Sequence, residues 1–120
     1  MAFEDEIGKA IGAHGVWKMR LKTAIDTGKA DAQATDVAKD NACAFGQWLY
    51  GPSIPAAVRA SLDYQSVRKL HADFHKCASK VIECVGHGDK SKANALLEGE
   101  YHKVSSELSS AMMKWKASVH

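Results

Sequence analysis

No apolar run in this 120-residue chain approaches the ~18 residues that a membrane-spanning helix needs. The opening MAFEDEIGK is acidic and lacks the charged-then-apolar order of a secretion signal, so the chain as written reads as cytoplasmic. Strand signals are absent, as are internal repeats and low-complexity segments, which leaves an all-α fold as the expectation. Cysteine is scarce, and its count of three does not make a disulfide framework. Cys77 and Cys84 stand seven apart on one predicted helix, about 10 Å along its axis and too far for a bridge, so both read as small core or boundary residues. Charge of one sign is also lacking. The net charge is +2 with acids and bases interspersed, and nucleic acid is excluded as a partner because no basic surface concentrates. The densest cluster, WKMRLK from Trp17 to Lys22, alternates with apolar residues and reads as a solvated helix face.

What remains is ordinary globular material with a helical period. Hydrophobic residues make up 46% and charged residues 25%, enough for one core in one domain over residues 1–120. Phe3, Ile7, Ile11, His14, Trp17, Leu21 and Ile25 step by three and four along a first helix that ends near Thr27-Gly28. After the polar linker GKADAQATD, a second helix is expected from Thr35 or Asp36 to Tyr50, stopped by Gly51-Pro52 with glycine in the left-handed closing geometry. Pro55 opens a short helix to about Leu62. Tyr64, Val67, His71, Phe74, Ala78, Val81 and Val85 define a long helix from about Asp63 to Val85. GHGD breaks it, Asp89 or Ser91 caps the next, and Ala93, Leu97, Tyr101, Val104, Leu108, Ala111 and Trp115 give the last stripe. The economical architecture is an antiparallel four-helix bundle with one additional short helix between the second and third long helices.

Polar residues interrupt these stripes. His14 lies between Ile11 and Trp17 on the first, and His71 lies between Val67 and Phe74 on the third. His75 follows His71 by one turn, which sets the two imidazoles side by side. Each histidine taken singly reads as a core residue bonded to a carbonyl or a tyrosine. Three in one layer need a shared partner, since buried imidazoles otherwise accumulate unsatisfied nitrogens or positive charge. A metal ion would serve all three. Cys43 would then complete a closed tetrahedral set suited to Zn²⁺ rather than to Mg²⁺ or Ca²⁺. Periodicity opposes that last step. Val37, Asn41, Phe45 and Trp48 share one side of the second helix, while Cys43 shares its direction with Asp40, Gln47 and Tyr50. Either that helix is buried on two sides, or Gly46 lets it bend or approach a neighbour.

Three elements, HGVW at His14–Trp17, CAFGQWLYG at Cys43–Gly51 and HADFH at His71–His75, together resemble the chemoreceptor zinc-binding domain (CZB) family in order and spacing. The resemblance spans almost the whole chain. It implies a helical bundle holding one Zn²⁺ per chain through His14, Cys43, His71 and His75. It also implies a regulatory sensor attached to soluble bacterial chemoreceptors or to diguanylate cyclases, responding to zinc or to oxidants such as hypochlorous acid through Cys43. A homodimer is the expected state. Neither a chemoreceptor signalling hairpin nor a cyclase domain is present, so the chain is expected to be a stand-alone or excised sensor whose output lies in another segment or partner. By the same resemblance Trp17 and Trp48 are expected to pack near the site, while Asp40, one turn before Cys43, is placed by its spacing to balance the site's charge or accept a proton from a ligand imidazole.

The rival readings are weaker. A hydrolase would need an open metal position and a glutamate spaced as general base, so no enzyme is expected. A di-iron bundle would need repeated Glu-x-x-His pairs, and there are none. A metal-free helical dimerisation module remains as the third alternative. His87 and His120 read as solvated and His102 as a surface residue, while Tyr50, Tyr64 and Tyr101 are candidate donors into the bundle.

Overall fold

The computed structural model describes residues 3–30, 33–39, 43–52 and 54–118, and every regular element among them is helical. Helix α1 (Phe3–Thr27) is followed by two short helices, α2 (Ala34–Val37) and α3 (Ala44–Tyr50). Next come α4 (Ala56–Arg59), α5 (Leu62–Gly86) and α6 (Lys90–Leu96). A π-helical turn, Leu97–Tyr101, joins α6 to α7 (His102–Ser118). The all-α expectation holds. Three long rods, α1, α5 and α6–α7, pack along one another, while α2 lies on α5 and α3 reaches α1. The bundle measures 45 × 22 × 20 Å, and α4 is the expected extra helix. Among the described residues no helix is long and apolar enough to cross a membrane.

Helix α5 is the keel, and its sequence explains why. Every residue of its predicted stripe is buried, and so are His75, Cys77, Ile82 and Cys84 beside it. Its start is set by Ser61, whose Oγ accepts the Tyr64 amide at 3.2 Å. Asp89 caps α6 as expected, accepting the Lys92 amide at 3.0 Å. Helix α1 ends where predicted, at a left-handed Gly28 with φ of 74°.

Two expectations need correction. The second helix is not continuous from Thr35 or Asp36 to Tyr50. It is interrupted between Val37 and Ala44, and α2 begins at Ala34 after Gln33 with no side-chain cap. The helix has already ended at Ala38 and Lys39, and residues 40–42 lie outside the described residues. Gly51 is not left-handed either. It is extended at φ −80°, and glycine is required there because a Cβ would stand 2.8 Å from the Gln47 carbonyl oxygen. Arg59 then donates to the Gly51 carbonyl and, at 3.2 Å, to that of Ile54.

The last rod carries a subtler departure. Its buried residues are Ala93, Leu97, Tyr101, Leu108, Met112 and Trp115, so Met112 joins the predicted stripe while Val104 and Ala111 are only half-buried. Steps of four from Ala93 to Tyr101 outrun an α-helix of 3.6 residues per turn, and the wider π turn absorbs the excess.

Candidate metal centre

Three helical segments bring the predicted residues to one point. His14 projects from the middle of α1, and His71 and His75 project from successive turns of α5. All three histidines are buried, and they offer nitrogens within 4.8 Å of one another. Cys43 arrives differently. It is the N-cap of α3, with extended backbone at φ −77° and ψ 162°, and its sulfur accepts the Gly46 amide at 3.3 Å. That sulfur lies 3.4 Å from His71 Nε2 and 3.6 Å from His75 Nε2. The interruption of the second helix is therefore what turns Cys43 inward. A helical wheel drawn through residues 35–50 carries a phase that the chain abandons before reaching it.

Hydrogen bonds to carbonyls orient two of the rings. His14 Nδ1 donates to Ala10 O at 2.7 Å, and His75 Nδ1 donates to Val37 O at 3.0 Å. Each ring thereby keeps its Nε2 lone pair. His71 Nδ1 is buried with no hydrogen-bond partner among the described residues. His71 Nε2 and His75 Nε2 are 3.1 Å apart, a distance at which two lone pairs repel unless a proton or a cation lies between them. Burial lowers the His14 pKa to about 4, opposed by its bond to Ala10. Burial, then the neighbouring His75 and His14, lowers that of His71 to about 3. Both imidazoles are therefore neutral near pH 7, the form that ligates metal.

The donor set fits Zn²⁺. Zinc–nitrogen bonds of about 2.0–2.1 Å and a zinc–sulfur bond of about 2.3 Å give tetrahedral edges of about 3.3 Å between nitrogens and about 3.6 Å from nitrogen to sulfur. The distances across Cys43, His71 and His75 are close to those edges, with the His14 nitrogen within reach of both other histidines.

The surrounding wall is aromatic. Phe74 meets His14 edge-on at 4.7 Å and His75 at 5.5 Å between ring centroids. Phe45 meets His71 at 5.2 Å and His14 at 5.8 Å. Trp17 stands against His75 at 6.2 Å, with the Arg20 guanidinium 3.9 Å over its outer face. Trp48 lies tilted against Phe45 and Trp115 at 5.8 and 5.7 Å between ring centroids. Asp40 lies outside the described residues. Sequence reasoning missed Phe45 and Phe74 as walls of the site, although Phe74 follows His71 on its own stripe. It also missed the Val37 carbonyl, for which no side-chain signal exists. A cavity of about 170 Å³ opens on α1 and reaches His14 and Cys43, its sides formed by Ala10, Ala13, Trp17 and Phe45.

The remaining candidates sort plainly. Cys77 and Cys84 are buried, and His87 and His102 are exposed, while His120 lies outside the described residues. Tyr64 donates to Leu49 O at 2.9 Å, whereas the Tyr101 hydroxyl is buried with no partner among the described residues.

Helical segments that bring three buried histidines and a capping cysteine around one point make a candidate metal site within a helical bundle. Residues 14–82 match the family model described as chemoreceptor zinc-binding domain, a span that takes in all four convergent residues. The chain belongs to the chemoreceptor zinc-binding domain family, a family of zinc-binding regulatory domains rather than catalytic ones. Neither the comparison with curated proteins nor that with solved structures gave a match.

Proposed function

We propose that the chain is a sensor domain of bacterial signal transduction, of the chemotaxis-receptor type, acting as one unit over residues 1–120. Its ligands to a single Zn²⁺ are His14, Cys43, His71 and His75. The observation that carries the assignment is the approach of the Cys43 sulfur to two histidine nitrogens at 3.4 and 3.6 Å. When bound, the ion supplies a charge that holds Cys43 as thiolate and ties α1, α3 and α5 together.

Cys43 is the proposed moving part. It is half-buried and reached by the α1 cavity, which also touches His14 but neither His71 nor His75, and none of the three histidines carries a thiolate to oxidise. Hypochlorous acid would convert its thiolate to sulfenic acid with loss of chloride, and a sulfenic acid is a poor ligand. The α3 cap would then release from α5. Cys77 would be spared, since burial and its bond to Glu100 raise its thiol pKa to about 11. Regulation of a diguanylate cyclase uses the same site and differs only in the output segment. We place the domain in the cytoplasm as a homodimer, a state to which exposed Val16 (56%) and Met19 (73%) on the outer face of α1 lend support.

Elemental analysis tests the assignment. Purified protein should carry about one zinc per chain, and Cys43→Ala should lose most of it while Cys77→Ala keeps it. Equal zinc in the two variants removes Cys43 from the site. Mild hypochlorous acid should release zinc from wild type and from Cys77→Ala alike.

A further inference from the structure

The cavity on α1 is unevenly placed relative to the four donors. It touches Cys43 and His14 but neither His71 nor His75, so it gives entry to one edge of the donor set only. Its walls are apolar: Ala10, Ala13, Trp17 and Phe45. Glu6 and Lys9 also line it, 3.7 Å apart as an ion pair, so no unbalanced charge awaits a ligand there. At about 170 Å³ it admits a molecule of several heavy atoms. A polyanionic chelator entering it would lose hydration without gaining a partner.

We propose that this cavity is an exchange port for low-molecular-weight thiols, admitting a compact uncharged thiol to the Cys43–His14 edge and excluding bulky polyanions. The incoming thiol takes the place of Cys43 and passes its proton to the Cys43 sulfur. One S–H bond breaks and one forms, charge is unchanged, and no oxidant or reductant is consumed. Cys43 is the donor exchanged because its sulfur is the one soft ligand at the port, while His14 is held by Ala10 O at 2.7 Å. A sensor with such a port exchanges zinc with the thiol pool, so its zinc off-rate is set by thiol concentration as well as by affinity.

Ala13 is exposed on α1 and lines the port, which makes Ala13→Phe a plug and Ala13→Ser its control, each checked for native helicity. In the metal-free protein, labelling of Cys43 by iodoacetamide, mapped by mass spectrometry, should slow about tenfold in Ala13→Phe and be unchanged in Ala13→Ser. In the zinc-loaded protein, transfer to a chromogenic indicator should accelerate with added 2-mercaptoethanol in wild type. That acceleration should fall about tenfold in Ala13→Phe while equilibrium zinc affinity stays within about twofold. Replacing the thiol by EDTA should give release independent of its concentration. Equal labelling rates in wild type and Ala13→Phe would overturn the port, as would thiol-independent release from the wild type. The second arm rests on the zinc reading proposed above, and the first does not: a protein that binds no zinc but shows plugged labelling refutes that reading and the ligand exchange with it, and keeps only the cavity as the route of entry to Cys43. Should Ala13→Phe misfold, Ala13→Met applies the same test with a flexible plug.

Discussion

His14 and His71 are buried as neutral bases, and that alone makes the metal-free protein sensitive to acid. Their pKa values fall from 6.5 to about 4 and about 3 on folding. The unfolded chain therefore binds more protons than the folded one below pH 6.5, and stability falls as pH drops through that range. At pH 5 the loss is on the order of 2 kcal/mol for each residue. Urea unfolding of chelator-treated protein at pH 7.5 and pH 5 measures it, and His71→Gln should remove a large part of the difference. Unchanged stability between the two pH values contradicts the burial of neutral imidazoles. The inward direction of these histidines was legible in the sequence, because α1 and α5 keep one helical phase throughout. Cys43 was not legible that way. Its side chain is aimed by extended backbone at a helix cap, where a 100° rotation per residue has no meaning. The family motif supplied what periodicity could not.

Among the elements, the π turn holds the buried polar group whose cost is most readily tested. Tyr101 is fully buried, its ring lies 5.2 Å from Phe74, and its hydroxyl has no partner among the described residues. Removing an unsatisfied buried hydroxyl relieves its desolvation cost, so Tyr101→Phe should stabilise the protein by about 1–2 kcal/mol. Tyr64→Phe should do the opposite, by about 1 kcal/mol, since its hydroxyl is bonded to Leu49 O at 2.9 Å. Thermal melts of the two variants decide the matter, and a destabilised Tyr101→Phe would refute this view of the turn. Gly51→Ala should also destabilise, because its Cβ would meet the Gln47 carbonyl oxygen at 2.8 Å. Hydrophobic stepping revealed the last rod but not its π turn. The repeated step of four at Ala93, Leu97 and Tyr101 carried the signal, and a tolerance of three or four hid it.

For the whole molecule, the proposed metal centre would tie α1, α3 and α5 together. Helix α3 reaches α5 through Cys43 and through Leu49 O, while α2 is held by His75 on Val37 O and by Ser79 on Ala34 O at 2.7 Å. Zinc bound only to the folded state should raise the melting temperature in proportion to the logarithm of its free concentration. A chelator should reverse the rise, and Cys43→Ala should show little of either. Bundle class and element order were legible because the long helices are amphipathic and punctuated by Gly28, Gly51-Pro52 and Gly88. The broken second element was not, since a short apolar segment can carry a helical period by chance. The central claim is a three-nitrogen, one-sulfur zinc site, and zinc K-edge X-ray absorption of the purified protein reads the ligands directly. The account predicts one sulfur at about 2.3 Å and three nitrogens at about 2.0–2.1 Å, with the sulfur shell lost in Cys43→Ala. A zinc site with only nitrogen and oxygen ligands in the wild type would contradict it.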